Sequence, residues 1–247
     1  MARYETAGSI INDALVECGL NPTVDAFSSG DPAVVQMSRL ITTCGRQLVK
    51  SHQWSILEKE YSIVTQDTDT GKYILPADFD HMIDQTGWSR EQRVPVLGSV
   101  TPQVWQYLKG RNLVSSTIYA VFRETDGEFW LYPQPPDGTV PSGLTIAFEY
   151  VSRGWAKDLG SDTLLDRVAS MGDLVLFDPL VITQMLKMRF KQARGQDSVS
   201  AQQEFLQVFS SATSQDVGAM NLNVANMSQP FPYLDMWRNT PDSGYGM

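Results

Sequence analysis

The sequence predicts an α+β fold: a helical bundle from the N- and C-terminal segments, a central antiparallel β-rich insertion, and an extended C-terminal tail. Three observations predict it. Apolar residues recur at three- and four-residue spacing near both ends of the chain, alternate every second residue in the middle, and lose all period after Gly218. Packing the two helical ends together is the simplest arrangement. It assigns residues 1–57 and 160–217 to the bundle, 58–159 to a β-rich domain and 218–247 to the tail.

The first helix is expected from Thr6 to Cys18, with Ile10, Ile11, Ala14, Leu15 and Cys18 on one face. Gly19 supplies a left-handed stop and Leu20 the apolar contact that goes with it. Asp31-Pro32 is an N-cap followed by proline at the first helical position, so a second helix runs from there to about Gln53. Val34, Met37, Ile41, Cys44 and Leu48 give it a narrow apolar seam.

From Tyr61 the period becomes two. Tyr61–Thr65 and Lys72–Leu75 read as strands on either side of a turn-forming stretch. Thr117–Arg123 and Glu128–Tyr132 read as a hairpin across Asp126-Gly127, and Leu144, Ile146, Phe148 and Tyr150 alternate in a further strand. Thr101-Pro102 starts a short helix ending near Gly110. Helix returns at Phe177–Arg194, stopped by Gly195, and Ser200 with Gln203 reads as a capping box for a last helix carrying Phe205, Val208, Phe209 and Ala212. A short Gly-containing turn makes these two an antiparallel hairpin.

Composition narrows function. A hydrophobic fraction of 42% and a charged fraction of 19% fit a globular chain with a real core. No apolar run approaches the ~20 residues that cross a bilayer. Met1-Ala2-Arg3-Tyr4-Glu5 has no signal-type stretch, so synthesis in the cytoplasm without export by that route is expected. Net charge −9 argues against a broad surface gripping nucleic acid, and is compatible with DNA sliding past. Cys18 and Cys44 read as buried thiols, and two cysteines with two distant histidines make no zinc set, so neither metal nor cofactor is expected.

Three stretches resemble the head-to-tail adaptor proteins of tailed phages, including the tail tubular protein A type. They are Ile10-Ile11-Asn12-Asp13-Ala14-Leu15 ending in Cys18-Gly19-Leu20, then Tyr73–Ile83 followed by Trp88, then Met188–Gly195 followed by Glu204-Phe205. The resemblance implies a virion neck protein that forms a ring, usually of twelve copies, below the portal. It implies helices toward the portal, a β-rich part toward the tail nozzle or tail tube, a C-terminal tail reaching onto the portal, and no enzymatic activity.

Candidate site residues follow. Phe231, Tyr233 and Trp237 lie around Pro230 and Pro232, which hold the segment extended; they read as anchors for a portal, with folding back on the same subunit as the alternative. Lys187, Lys191 and Arg194 form a basic stripe that either complements a helix C-terminus or meets an acidic surface on a neighbour or the portal. Asp78, Asp80 and Asp84 with His81 read as turn and cap chemistry. The rival is a carboxylate pair of a virion-associated cell-wall hydrolase. Another neck or tail-completion protein is a third reading. His52 beside Trp54 reads as a capping or packing residue. Trp105, Tyr107, Trp130 and Tyr132 lack interleaved cations in sequence and read as core or interface rather than base-stacking residues.

Overall fold

Helix α1 (Ala7–Glu17) is capped by Thr6, whose hydroxyl accepts the Ser9 N–H at 3.3 Å. At its other end Gly19 takes φ +73°, which lets Gly19 N–H reach Val16 O and Leu20 N–H reach Leu15 O, both at 2.9 Å. Helix α2 (Pro32–Ser51) starts as its sequence dictates: Asp31 accepts the Ala33 N–H at 2.8 Å with proline at the first position. The computed structural model describes residues 4–216 apart from 67, 69, 112–119, 135–142 and 162. The 218–247 tail, with Phe231, Tyr233 and Trp237, lies outside the described residues, as do residues 117–119 of the expected hairpin.

Helix α3 spans Pro102–Arg111. Helix α4 is Pro179–Ala193, two residues shorter at its start than the expected Phe177 boundary. Asp178 accepts the Leu180 N–H at 2.8 Å and proline follows, so Phe177 stays outside the helix as a buried core ring. Helix α5 (Val199–Asp216) corrects the Ser200–Gln203 capping box. Its first turn already includes Ser200, and Asp197 accepts the Val199 N–H at 3.0 Å instead. A near Asp wins because its carboxylate reaches the first free N–H before the serine does.

In chain order the strands are β1 (Glu5–Thr6), β2 (Glu58–Val64), β3 (Lys72–Ile74), β4 (Phe79–Met82), β5 (Trp88–Ser89), β6 (Val94–Pro95), β7 (Val121–Thr125), β8 (Glu128–Tyr132), β9 (Thr145–Ser152), β10 (Ala156–Lys157), β11 (Leu164–Leu165) and β12 (Leu174–Val175). Every ladder between them is antiparallel, so the chain is α+β. β2 and β3 flank one turn yet join different sheets: β2 pairs β9, and β3 pairs β8. β7 and β8 form the expected hairpin, with Asp126 at φ 57° and Gly127 at φ 71°, the two positive angles a two-residue I′ turn needs.

Two apolar cores organise these elements. The first takes Ile10, Ile11 and Leu15 of α1, Met37, Ile41 and Leu48 of α2, and Ile182, Leu186 and Phe190 of α4, with Phe205 and Phe209 of α5 packed against it. The small sheet β1–β12–β10–β11 closes it, through Ala156 and Val175. The second core lies between the β2–β9–β5–β6 sheet and the β3–β8–β7 sheet, which pack face to face. Phe129 stacks on Phe148 at 5.2 Å and on Phe122 at 4.8 Å. Strand β9 serves both: Ile146, Phe148 and Tyr150 belong to the sandwich, and Val151 to the helical core.

Trp155 follows β9 and is fully buried against α2. A Cβ on Gly45 would come within 2.3 Å of its ring carbons, so only glycine fits there. Gly45→Ala is therefore expected to cost about 1–3 kcal/mol by overpacking, a loss of several degrees in thermal midpoint read by circular dichroism. Ile41 is fully buried in the same core. Ile41→Asp would place an unpaired charge there, and a loss of folding and of particle incorporation is expected; a variant that melts and assembles like the parent would refute this core assignment.

Candidate functional site

The segment carrying Asp78, Asp80 and His81 lies where β9 passes from one core to the other. Asp78 accepts Lys59 Nζ at 2.7 Å, Ser152 Oγ at 2.7 Å and Tyr150 OH at 3.1 Å. The Arg153 backbone N–H donates to Asp78 O, and its guanidinium to Ala77 O, each at 2.7 Å. Burial pushes the Asp78 carboxyl up, but the bonds from Lys59 and Ser152 outweigh it and hold the group below the ordinary carboxylate range. Asp80 behaves alike: burial is outweighed by Lys50, at 2.6 Å, and His81, at 2.8 Å. Tyr150 is pushed the other way, by burial and then by the Asp78 charge. Asp84 is exposed and takes no part in this network.

These carboxylates are not arranged as an acid and a base. Each is held ionised by its own cation, and general acid work needs a carboxyl held protonated near neutral pH. A cleft of about 480 Å³ beside Asp78 is lined by Lys59, Ala77, Arg153, Gly154 and Leu164, with Lys59 paired to Asp78 and the Arg153 guanidinium bonded to Ala77 O. Among the described residues no group of three or more His, Cys, Asp or Glu side chains is placed to hold a metal. The network ties β2, β4 and β9 to each other, and Lys50 ties in the end of α2.

His52 is the C-cap residue of α2 and meets Trp54 edge-on at 5.0 Å. Its Nε2 lies 3.4 Å from Asp216, whose carboxylate also accepts the Ser55 N–H at 2.9 Å and hydroxyl at 2.6 Å. The end of α5 is thus fastened to the start of the segment that leads into β2.

The basic stripe divides. Lys187 is largely buried and pairs with Glu17 of α1 at 3.0 Å and Glu204 of α5 at 2.9 Å. The Glu204 bond raises its pKa against the effect of burial, with Glu17 adding to the rise. It joins three helices. Arg194 is exposed, lies over the Phe190 ring at 4.6 Å and donates to Gln36 at 3.3 Å. Lys191 forms no ion pair among the described residues.

The aromatic set gathers where α3 lies on the outer face of β7–β8. Trp105, 2% exposed, meets Trp130 at 6.2 Å and Tyr132 at 6.1 Å. Tyr107 stays half exposed. Cations do join this set, which sequence spacing did not reveal: Lys72 lies 4.3 Å over Trp130, and Lys109 lies 5.5 Å from it. They arrive from β3 and α3, so only strand pairing and helix docking bring them together.

The Asp78 and Asp80 pairs carry a pH consequence. Their folded pKa values lie below the unfolded one of about 3.9, so their contribution is present above that value and lost as pH falls through the folded values. Calorimetry from pH 7 down to pH 2 should show a steep acid limb. Asp78→Asn should lower the neutral plateau and flatten that limb, and an unchanged limb would rule out the joint as its source.

A search of curated proteins finds no match for the chain. The family model described as SU10 adaptor protein matches residues 5–227, which takes in every helix and strand among the described residues. With both cores, the joint between them and the helix-end motifs inside a single match, the chain belongs to the SU10 adaptor protein family of phage head-to-tail adaptors.

Proposed function

We propose that this protein is a structural, non-catalytic component of a phage neck, made in the host cytoplasm, that forms a ring joining the portal to the tail and leaving a path for DNA. The family match over residues 5–227 carries this reading. The ring is expected to hold twelve copies, the helical bundle of 1–57 and 160–217 to face the portal, and the β-rich 58–159 part to face a tail nozzle or tail tube protein. The engagement of Asp78 and Asp80 with Lys59 and Lys50 supports a structural use of the residues that a hydrolase would need free.

Portal binding is assigned to the segment 218–247, through Phe231, Tyr233 and Trp237, with Lys191 and Arg194 at the end of α4 as the offered cations. Lys187 contributes by holding α4 to its neighbours. Apolar anchors flanked by proline lose little entropy on docking, which is why such a segment grips well. No membrane contact is part of the reading; no helix among the described residues is long and apolar enough to cross one.

Electron microscopy of the full chain mixed with its portal tests the reading, with a ring on the portal as the expected result. A chain ending at Ala219 should keep the parent's melting behaviour and bind the portal at least about tenfold more weakly, a change of about 1.4 kcal/mol. Equal binding would remove the tail as anchor. The chain's net charge of −9 further predicts weak duplex binding at ~0.15 M salt, and submicromolar, steeply salt-dependent binding would instead mean a gripping role. Release of cell-wall fragments that vanishes with Asp78→Asn or Asp80→Asn would replace the structural reading with the hydrolase.

A further inference from the structure

The two outer faces of the β-sandwich carry opposite charge. On the β3–β8–β7 sheet, Lys72, Trp130 and Arg123 stand opposite one another across the three strands and so share one face. Since Phe129, Phe122 and Leu131 point into the core, this row points out, with Trp105 of α3 covering part of Trp130 and Lys72 left exposed beside it. Lys109 of α3 adds a third cation over the Trp130 ring. None of the three cations has a carboxylate partner among the described residues, and the one acid in the neighbouring row, Glu128, accepts the Trp130 indole N–H at 2.8 Å. Ile74, next along β3 on the same face, is 78% exposed.

On the other sheet, Tyr61 and Ile63 of β2 and Ile146 and Phe148 of β9 point into the core, so Glu58, Glu60 and Glu149 point out. Glu60 and Glu149 are direct cross-strand partners. Like charges in that position repel and destabilise a sheet. Arg90 pairs with Glu60, and the Glu149 carboxylate takes no partner among the described residues. Val64, 55% exposed, and Trp88, 37% exposed, lie on the same face. Each face therefore joins exposed apolar surface to an excess of one charge, with Arg90 the cation among the acids and Glu128 the acid among the cations, and the two excesses are complementary.

We infer that these faces are the two halves of one subunit contact, with the Lys72–Trp130–Arg123 face of one copy seated on the Glu58–Glu60–Glu149 face of the next copy. The inference rests on the ring reading above. Two different surfaces on opposite sides of one sandwich make a heterologous contact, which is the kind that repeats around a ring. Lys72, Arg123 and Lys109, which lack a carboxylate among the described residues, and Glu149, which lacks a cation there, are each completed by the neighbour.

Charge reversal on the full chain tests this, scored as rings formed on the portal by electron microscopy and copies per ring by mass photometry. Lys72→Glu alone and Glu149→Lys alone should each cut ring yield at least about tenfold, because like charges then face each other at every contact. An equal mixture of the two variants should restore rings: every reversed face then meets a reversed face of the other variant, and every native face meets a native one. Lys109→Glu stands in if Lys72→Glu melts well below the parent. Rings from either single variant, with the parent also forming rings, would overturn this contact and leave the ring reading standing. So would a mixture that fails to restore assembly. Duplex binding by the parent that Lys72→Glu abolishes, with ring yield unchanged, would make the basic face a nucleic-acid surface and overturn the contact. A parent that forms no ring would overturn both.

Discussion

The Trp155 ring fills the space where a side chain of residue 45 would stand, and much of the fold is built around that contact. Trp155 stacks on Phe177 at 6.1 Å, just ahead of α4, and donates its indole N–H to Asp166 O at 2.9 Å. Arg46, next to Gly45, reaches the same Asp166 from the other side at 3.1 Å. One buried ring thus fixes α2, the end of β9 and the approach to α4 in a single place. Because β9 also supplies the centre of the sandwich, the contact sets where that second core begins.

Polar groups then hold the passage between cores. Half-buried charge is costly unless it is paired or hydrogen-bonded, and here Asp78 pairs with Lys59, Asp80 with Lys50, and Glu17 and Glu204 share Lys187. The same pairing explains why a cluster that resembles catalytic carboxylates in sequence is engaged by cations in space. Three acids within seven residues look like a site when read along the chain. Folded, Asp78 and Asp80 bond to cations from different elements, and Asp84 stays apart.

What was legible in the sequence was local. The caps at Asp31-Pro32, the left-handed ends at Gly19 and Gly195, and the Asp126-Gly127 turn are each set by a few neighbouring residues. So are the seams of α1 and α2, where 3.6-residue periodicity shows over many residues. The Asp178-Pro179 start of α4 was equally local and was hidden by the apolar run around Phe177. The two-residue strands β1, β5, β6, β10, β11 and β12 are too short to have any period, and exist because a partner strand lies alongside. The cationic company of Trp130 and the facing carboxylates Glu60 and Glu149 depend on strand register, which no window of sequence contains.

Cys44 shows one more thing the helical core does. It is fully buried on α2, and burial, only partly opposed by the nearby Arg189 charge, pushes its thiol up to about 12. At neutral pH the closed form therefore presents neither access nor thiolate to an alkylating reagent. Modification of this sulfur has to wait for α2 to leave α1 and α4, so its rate reports the frequency of that opening. The protein carries a clock for its own breathing, readable in a solution of free subunits and in a finished particle alike.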